Sequence, residues 1–284
     1  MKTIVCTGDS HTWGQGPQGV EAHFTDPPVC GGELRPVPFR YPCYVNLLRN
    51  KINRLTGSSA FETEPKTEIT GDYVIHDRVD LARFYYRFDG HNNISAESAF
   101  ASDKITETEN ATYIFDEGLT IKPKHKLYLY RCELYSGNYA VINSGVGSCT
   151  TTRYLEQFYE NYVKRFHPSV IAAEAHTIND WLNKVTLPDV NANLRRILTG
   201  CPQAKAILLT VSPIGGETAM PFNATDYEEY IAESRLAANK AGCVIADANP
   251  FIGTDKFSDN WHVNEEGHRI YFETIMNALN KINL

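Results

Sequence analysis

Five short, nearly unbroken apolar runs alternate with helical repeats along this chain, and that alternation constrains its fold more than any other feature. Lys2–Cys6, Tyr139–Asn143, Ser169–Ala175, Ala204–Val211 and Cys243–Ala246 read as strands. Helical periodicity fills Tyr41–Thr56, Thr151–Phe166, Asp189–Leu198, Ala224–Ala241 and Asn264–Ile282, with Tyr44, Leu47, Leu48, Ile52 and Leu55 on one face of the first. Strands that lack an alternating polar face are buried on both sides, and strand–helix alternation marks a parallel sheet covered by helices. The expected fold is therefore α/β: a three-layer α/β/α, flavodoxin-like parallel sheet. Ligands of such folds gather at the C-terminal ends of the strands.

The stretch 57–138 breaks this rhythm, being far longer than the roughly two to six residues that usually join helix to strand. It carries Tyr73-Val74-Ile75, Phe84-Tyr85-Tyr86-Arg87-Phe88, Thr112-Tyr113-Ile114-Phe115, Leu119-Thr120-Ile121 and Leu127-Tyr128-Leu129-Tyr130 between turn signals. Short aromatic and β-branched runs of this kind predict an antiparallel β-rich insertion within a core made of 1–56 and 139–284. Its many tyrosines are read first as a small β core and only second as a sugar-stacking surface. Gly14 to Phe39, rich in proline, is expected to form a long loop over the site.

Charge and composition exclude several function classes. The 284 residues carry a net charge of −7, and no basic run exceeds Arg195-Arg196, so a nucleic-acid partner is not expected. No stretch reaches the roughly 18 consecutive apolar residues of a membrane span. Met1-Lys2 leads directly into the first strand without an apolar targeting segment, so a cytoplasmic location is expected. Cys6, Cys30, Cys43, Cys132, Cys149, Cys201 and Cys243 are scattered, without paired or metal-ligand spacing. Reduced thiols, no metal and no cofactor are the expectation, while the oligomeric state stays open.

Chemistry concentrates at two places. Thr7-Gly8-Asp9-Ser10-His11 follows the first strand, and Asp259-Asn260-Trp261-His262 precedes the last helix. A serine hydroxyl is a weak nucleophile until an imidazole accepts its proton, and the imidazole needs a carboxylate to fix its tautomer. Glu265-x-x-His268 repeats the acid-x-x-base spacing, but His268 falls inside the closing helix, where a solvated or half-buried side chain is the default. His262 precedes that helix, at the sheet edge.

Gly8-Asp9-Ser10, Asn143-Ser144-Gly145-Val146-Gly147, Asn179-Asp180 and Asp259-x-x-His262, in that order, resemble the four blocks of the SGNH (GDSL-like) hydrolase family. The resemblance implies Ser10 as nucleophile, His262 as base and Asp259 as its orienting carboxylate. It further implies an oxyanion hole built from the Ser10 amide, a block-two glycine amide and the Asn179 side chain, with Asp9 bracing the turn. Two departures stand out. The usual Asn-x-Gly-x-x-Gly is compressed, leaving Gly145 and Gly147 as candidate donors, and the glycine of Gly-x-Asn-Asp is replaced by Thr177.

Trp13, Trp181 and Trp261 each lie within three residues of a proposed catalytic position, and with His176 they are candidate substrate contacts. Set against that are tryptophans that brace the motifs from beneath and a histidine that is satisfied structurally, the reading favoured for His176. The function implied is a serine esterase releasing a small acyl group, plausibly acetyl, from a small-molecule or carbohydrate alcohol. Two other readings compete. Asp9-x-His11 after a first strand also opens metal-dependent phosphoesterases, although their Gly-Asn-His-Asp/Glu and Gly-His-x-His blocks are missing. A catalytically silent carbohydrate-binding module would have no reason to retain Ser10, Asn179 and His262 together.

Overall fold

The computed structural model describes residues 1–17, 36–88, 94–116, 118–210, 224–259 and 261–283. Strand β1 (Lys2–Gly8) runs into a one-turn helix α1 (Ser10–Trp13), and α2 (Tyr44–Thr56) follows. Nine strands come next: β2 (Ser59–Thr63), β3 (Thr67–Ile69), β4 (Tyr73–Ile75), β5 (Leu81–Phe88), β6 (Ser95–Phe100), β7 (Ile105–Glu107), β8 (Ala111–Phe115), β9 (Leu119–Pro123) and β10 (Leu127–Ser136). The chain then passes through β11 (Tyr139–Gly145), α3 (Thr151–Gln157), α4 (Tyr159–Tyr162), β12 (Val170–Glu174), α5 (Thr177–Leu182) and α6 (Leu187–Thr199). It closes with β13 (Lys205–Leu209), α7 (Ala224–Ala241), β14 (Val244–Ala246) and α8 (Glu265–Lys281).

Two compact units result, one formed by Met1–Lys2 with Lys51–Ala140, the other including 3–17, 36–50 and 141–283. The second holds a five-stranded sheet of order β11-β1-β12-β13-β14. Its β1–β12, β12–β13 and β13–β14 pairings are parallel, with Ile4 opposite Val170, Ala172 opposite Ile207 and Leu208 opposite Ile245. Ile4, Val5, Cys6, Val170, Ile171, Ala172, Ala173, Ile207, Leu208 and Leu209 are completely buried, as unbroken apolar strands between helix layers must be. The architecture is the flavodoxin-like α/β/α arrangement expected from the sequence.

In the first unit the strands pair antiparallel in two sheets, β2-β10-β5-β6 with β3 added on β10, and β4-β9-β8-β7. Ile75, Phe84, Tyr86, Tyr113, Leu119, Ile121 and Leu129 share one hydrophobic cluster, in which Phe84 and Tyr113 stack at 4.6 Å. Tyr85, Tyr86, Tyr113, Tyr130 and Tyr135 are buried, so most of this aromatic content builds a core rather than a surface.

Thr151–Phe166, which reads as one helix, is instead broken into α3, α4 and a 3-10 turn at Lys164–Phe166. Phe158 and Val163 leave the helical region at φ −120° and −124°. Aromatic and β-branched side chains crowd the preceding turn of a helix and weaken it where core contacts compete. The proline-rich segment expected to cover the site falls largely in 18–35, outside the described residues.

Gly145, at the end of β11, is fixed by sterics. A Cβ there would lie 2.2 Å from the Trp13 backbone nitrogen and 2.6 Å from the Thr12 carbonyl carbon. Both are backbone atoms of the helix that begins with Ser10, so they cannot move aside independently. Gly145→Ala should therefore lower the unfolding free energy by about 1–3 kcal/mol, the usual range for overpacking, as read from denaturant midpoints. An unchanged midpoint would show that α1 is free to shift.

Candidate active site

The site is assembled from loops at the C-terminal ends of adjacent strands. β1 ends at Gly8, where a Cβ would meet Glu174 Oε2 at 2.3 Å and Thr12 Oγ1 at 2.2 Å, so only glycine lets the chain turn this closely over β12. Asp9 caps α1 by accepting from His11 N at 3.1 Å, and Ser10 opens the helix, slightly exposed. At the other end of the chain, Phe257 and Val263 form an antiparallel bridge, and Ser258 N and Oγ both donate to the His262 carbonyl, at 2.9 and 3.0 Å. Asn264 then caps α8 by accepting from the N–H groups of Glu266 and Gly267.

The loop between those anchors carries Asp259 and His262. Asp259 Oδ1 accepts from the backbone N–H of Trp261 and of His262, both at 2.7 Å, and Oδ2 lies 2.8 Å from His262 Nδ1. With Nδ1–H donated to Asp259, His262 Nε2 is the acceptor facing Ser10 Oγ at 3.0 Å. Partial burial pushes the Asp259 carboxyl up, but the His262 hydrogen bond and charge and the two backbone donors outweigh it and hold it down at about 2.

Behind Ser10 lies a buried carboxylate network. Asp9 Oδ2 accepts from Asn179 Nδ2 at 2.7 Å, while Asp9 N donates to Glu174 Oε2 at 2.7 Å and Thr12 Oγ1 donates to the same oxygen at 3.1 Å. Burial alone would raise Asp9, yet hydrogen bonding to His11 and the nearby imidazole charge hold it well below the usual carboxylate range. Burial and the Asp9 charge push Glu174 the opposite way, favouring its protonated form. His11 Nε2 donates to the Trp261 carbonyl at 3.0 Å, tying the His262 loop to the turn that carries Ser10.

Of the candidate oxyanion donors, Gly145 is ruled out by its own hydrogen bond. Its N–H is taken by Asn143 Oδ1 at 3.0 Å, and the residue is buried against Trp13. Gly147, half-buried in the turn after β11, is left as the block-two candidate. Asn179, in the first turn of α5, spends one amide hydrogen on Asp9 and keeps the second. The block-three aspartate is structural: Asp180 accepts from Thr151 N at 2.8 Å and from Thr151 Oγ1 at 2.9 Å, joining α3 to α5.

Trp13 and His176 take the structural one of their two readings. Trp13 is only 1% exposed beneath the turn, and His176 is completely buried, its Nδ1 donating to Cys149 O at 2.8 Å and its ring edge-on to Tyr154. His176 adopts a left-handed φ of 53° immediately before α5, a conformation that the Cys149 contact helps to hold. Trp181 and Trp261 stay half-buried and accessible. His268 is not solvated either: it is fully buried, its Nε2 donating to Gln15 O at 2.9 Å and its Nδ1 accepting from Tyr44 N. Glu174 was not singled out by sequence, although a glutamate closing an apolar strand is a recognisable signal, and His11 entered only through the competing metal-site reading.

Among the described residues, one cluster could supply metal ligands: Asp9, His11 and Glu174, whose ligand atoms lie within 4.8 Å of one another. All three are at most 1% exposed. A metal that activates water for a phosphate ester needs an open coordination position facing substrate, and this cluster has none.

Solved structures share this architecture. A peptidoglycan O-acetylesterase superposes with a TM-score of 0.61 at 12% identity, over 99% of this chain and 91% of that one. A lipase/acylhydrolase from Enterococcus faecalis gives 0.52 at 15% identity over 99% and 97%, and the acetyl xylan esterase AlAXEase 0.51 at 12% over 98% and 99%. The fold is the one shared by these ester hydrolases. No family model matches the chain, and no curated protein matches it.

His268 supplies a pH test of this packing. Burial lowers its pKa from 6.5 to about 3, so the unfolded chain takes up a proton that the folded chain refuses. Its contribution is complete above pH 6.5 and is lost as pH falls towards about 3. In His268→Gln the fall in unfolding free energy across that window should be shallower, by up to about 1.4 kcal/mol per pH unit. Parallel slopes in the two proteins would mean that His268 titrates alike in both states.

Proposed function

We propose that this chain is a serine esterase that removes a short acyl group, most simply acetyl, from a carbohydrate alcohol. The observation that carries the proposal is the unbroken row Asp259–His262–Ser10, at 2.8 and 3.0 Å, with Asn179 held beside it by Asp9. Ser10 Oγ attacks the ester carbonyl as His262 Nε2 takes its proton. Asp259 fixes the tautomer and stabilises the imidazolium, and His262 then delivers the proton to the leaving alcohol. The Ser10 amide, the Gly147 amide and the free hydrogen of Asn179 receive the oxyanion. Water, activated by His262, clears the acyl-enzyme along the same route. Acetyl as the acyl group and carbohydrate as the alcohol are supported by neighbours named for acetyl xylan and for peptidoglycan O-acetyl groups.

Ser10→Ala should reduce hydrolysis of p-nitrophenyl acetate by roughly 10⁴-fold or more while leaving the thermal midpoint nearly unchanged, and a phosphonate reagent should label wild type at Ser10 only. Retained activity would remove the proposal. Activity abolished by a chelator and restored by manganese would transfer the chemistry to the Asp9, His11 and Glu174 cluster.

Asn179→Ala discriminates more finely, because the residue has two tasks. Loss of an oxyanion donor should lower kcat by roughly 10²–10³-fold with little change in KM. Loss of the Asp9 contact should also cost stability, about 1–3 kcal/mol for a hydrogen bond to a buried charge. A lowered midpoint with near-normal kcat would leave Asn179 as a partner of Asp9 alone.

A further inference from the structure

A cavity of about 430 Å³ opens between α5, the start of α6 and α7, lined by Trp181, Leu182, Lys184, Leu187, Asp226, Glu229 and Tyr230, of which only Trp181 figures above, as a candidate substrate contact. Its volume falls within the roughly 300–1,000 Å³ of small-molecule sites. Trp181 lies two residues beyond Asn179 on the same short helix, and residues two apart do not share a helix face. The two side chains therefore leave α5 on different sides. Tyr227 packs edge-on against Trp181 with ring centroids 5.5 Å apart. It is buried, and sits near enough to Asp9 and Glu174 for their charge to add to the effect of burial on its phenol.

The lining is specific in kind. Tyr230 donates its hydroxyl to Val185 O at 2.8 Å, which fixes the ring as a wall. The Trp181 indole meets the Tyr227 ring at 65° and is half-buried. An aromatic platform flanked by two carboxylate acceptors and one ammonium donor matches a pyranose ring, with C–H groups on the indole and hydroxyls donating to Asp226 and Glu229. The surplus carboxylate opposes an anionic ring. We infer that this cavity is a distal subsite for an uncharged pyranose unit of the alcohol chain, at least one ring removed from the acylated one. The inference rests on the esterase reading for its place in the reaction, but binding itself does not require turnover.

Two measurements separate the two claims. First, Ser10→Ala protein is titrated with xylohexaose, chitohexaose and a galacturonate hexamer while tryptophan fluorescence is followed. A saturable change with a neutral hexamer, weakened at least tenfold in Glu229→Gln and in Asp226→Asn and weakest for the uronate, is expected. Those substitutions lie at exposed positions and leave the fold testable where Trp181→Ala does not. Second, wild-type kcat/KM is compared between acetylated xylose and acetylated xylohexaose. The hexamer should be favoured about tenfold, and the Glu229→Gln and Asp226→Asn variants should lose that preference. No fluorescence response to any hexamer, equal affinity for the uronate, or turnover indifferent to chain length would overturn the subsite. Saturable binding without hydrolysis of any ester would instead overturn the esterase reading and leave the subsite standing.

Discussion

The Asp9 carboxylate is the interaction on which the candidate site depends. It is completely buried, a position that costs several kcal/mol for an ion unless its oxygens are satisfied. They are: Oδ1 accepts from His11 N and Oδ2 from the Asn179 amide. Those two donors belong to the turn that carries Ser10 and to the helix after β12, so one anion fixes the proposed nucleophile relative to the proposed oxyanion donor. His11 extends the link through its bond to the Trp261 carbonyl, in the loop that presents His262. Three segments far apart in sequence are thereby registered against one carboxylate, and small errors in such registration are costly in catalysis.

The parallel sheet explains why these segments meet at all. β1 and β12 are adjacent, in the register Cys6 to Ala172 and Thr7 to Ala173, so the residues just past their ends emerge side by side. Gly8 permits the close crossing over Glu174, and Gly145 permits β11 to lie against the α1 backbone. The His262 loop comes from the opposite end of the chain and is rigidified locally, by the Phe257–Val263 bridge and the Asn264 cap, before it docks. Preorganisation of this kind places the imidazole without relying on substrate to order it.

Much of this was legible in the sequence, for identifiable reasons. The parallel core was visible because strands buried on both faces are apolar without alternation, and Ser10, Asn179, Asp259 and His262 because their chemistry requires particular residue types at strand ends. Less visible were β2, β3, β6 and β7, whose residues alternate weakly or include Glu62, Glu97 and Glu107. Motif spacing could not choose between Gly145 and Gly147, because it records a glycine but not the partner of its N–H, which for Gly145 is Asn143 in the same block. The burial of Trp13, His176 and His268 was open for a related reason. Periodicity assigns a residue to an element, whereas burial of a polar or aromatic side chain depends on which distant group reaches it: Gln15 for His268, Cys149 for His176.

The carboxyl groups around Ser10 differ because their surroundings do. Asp259 is about half exposed and receives two backbone N–H donors and an imidazole, so it remains an anion across the working range and can hold His262 as an imidazolium. Glu174 is buried beside an existing negative charge, and a second anion there would be penalised by both desolvation and repulsion, so the proton stays with Glu174. The consequence reaches the chemistry. On the proposed mechanism an oxyanion would develop next to this network, and every negative charge behind Ser10 would oppose it. By concentrating the charge on Asp9, where it polarises the Asn179 amide, and keeping Glu174 neutral, burial limits the opposing field to a single ion that also strengthens one of the donors meant to receive the oxyanion.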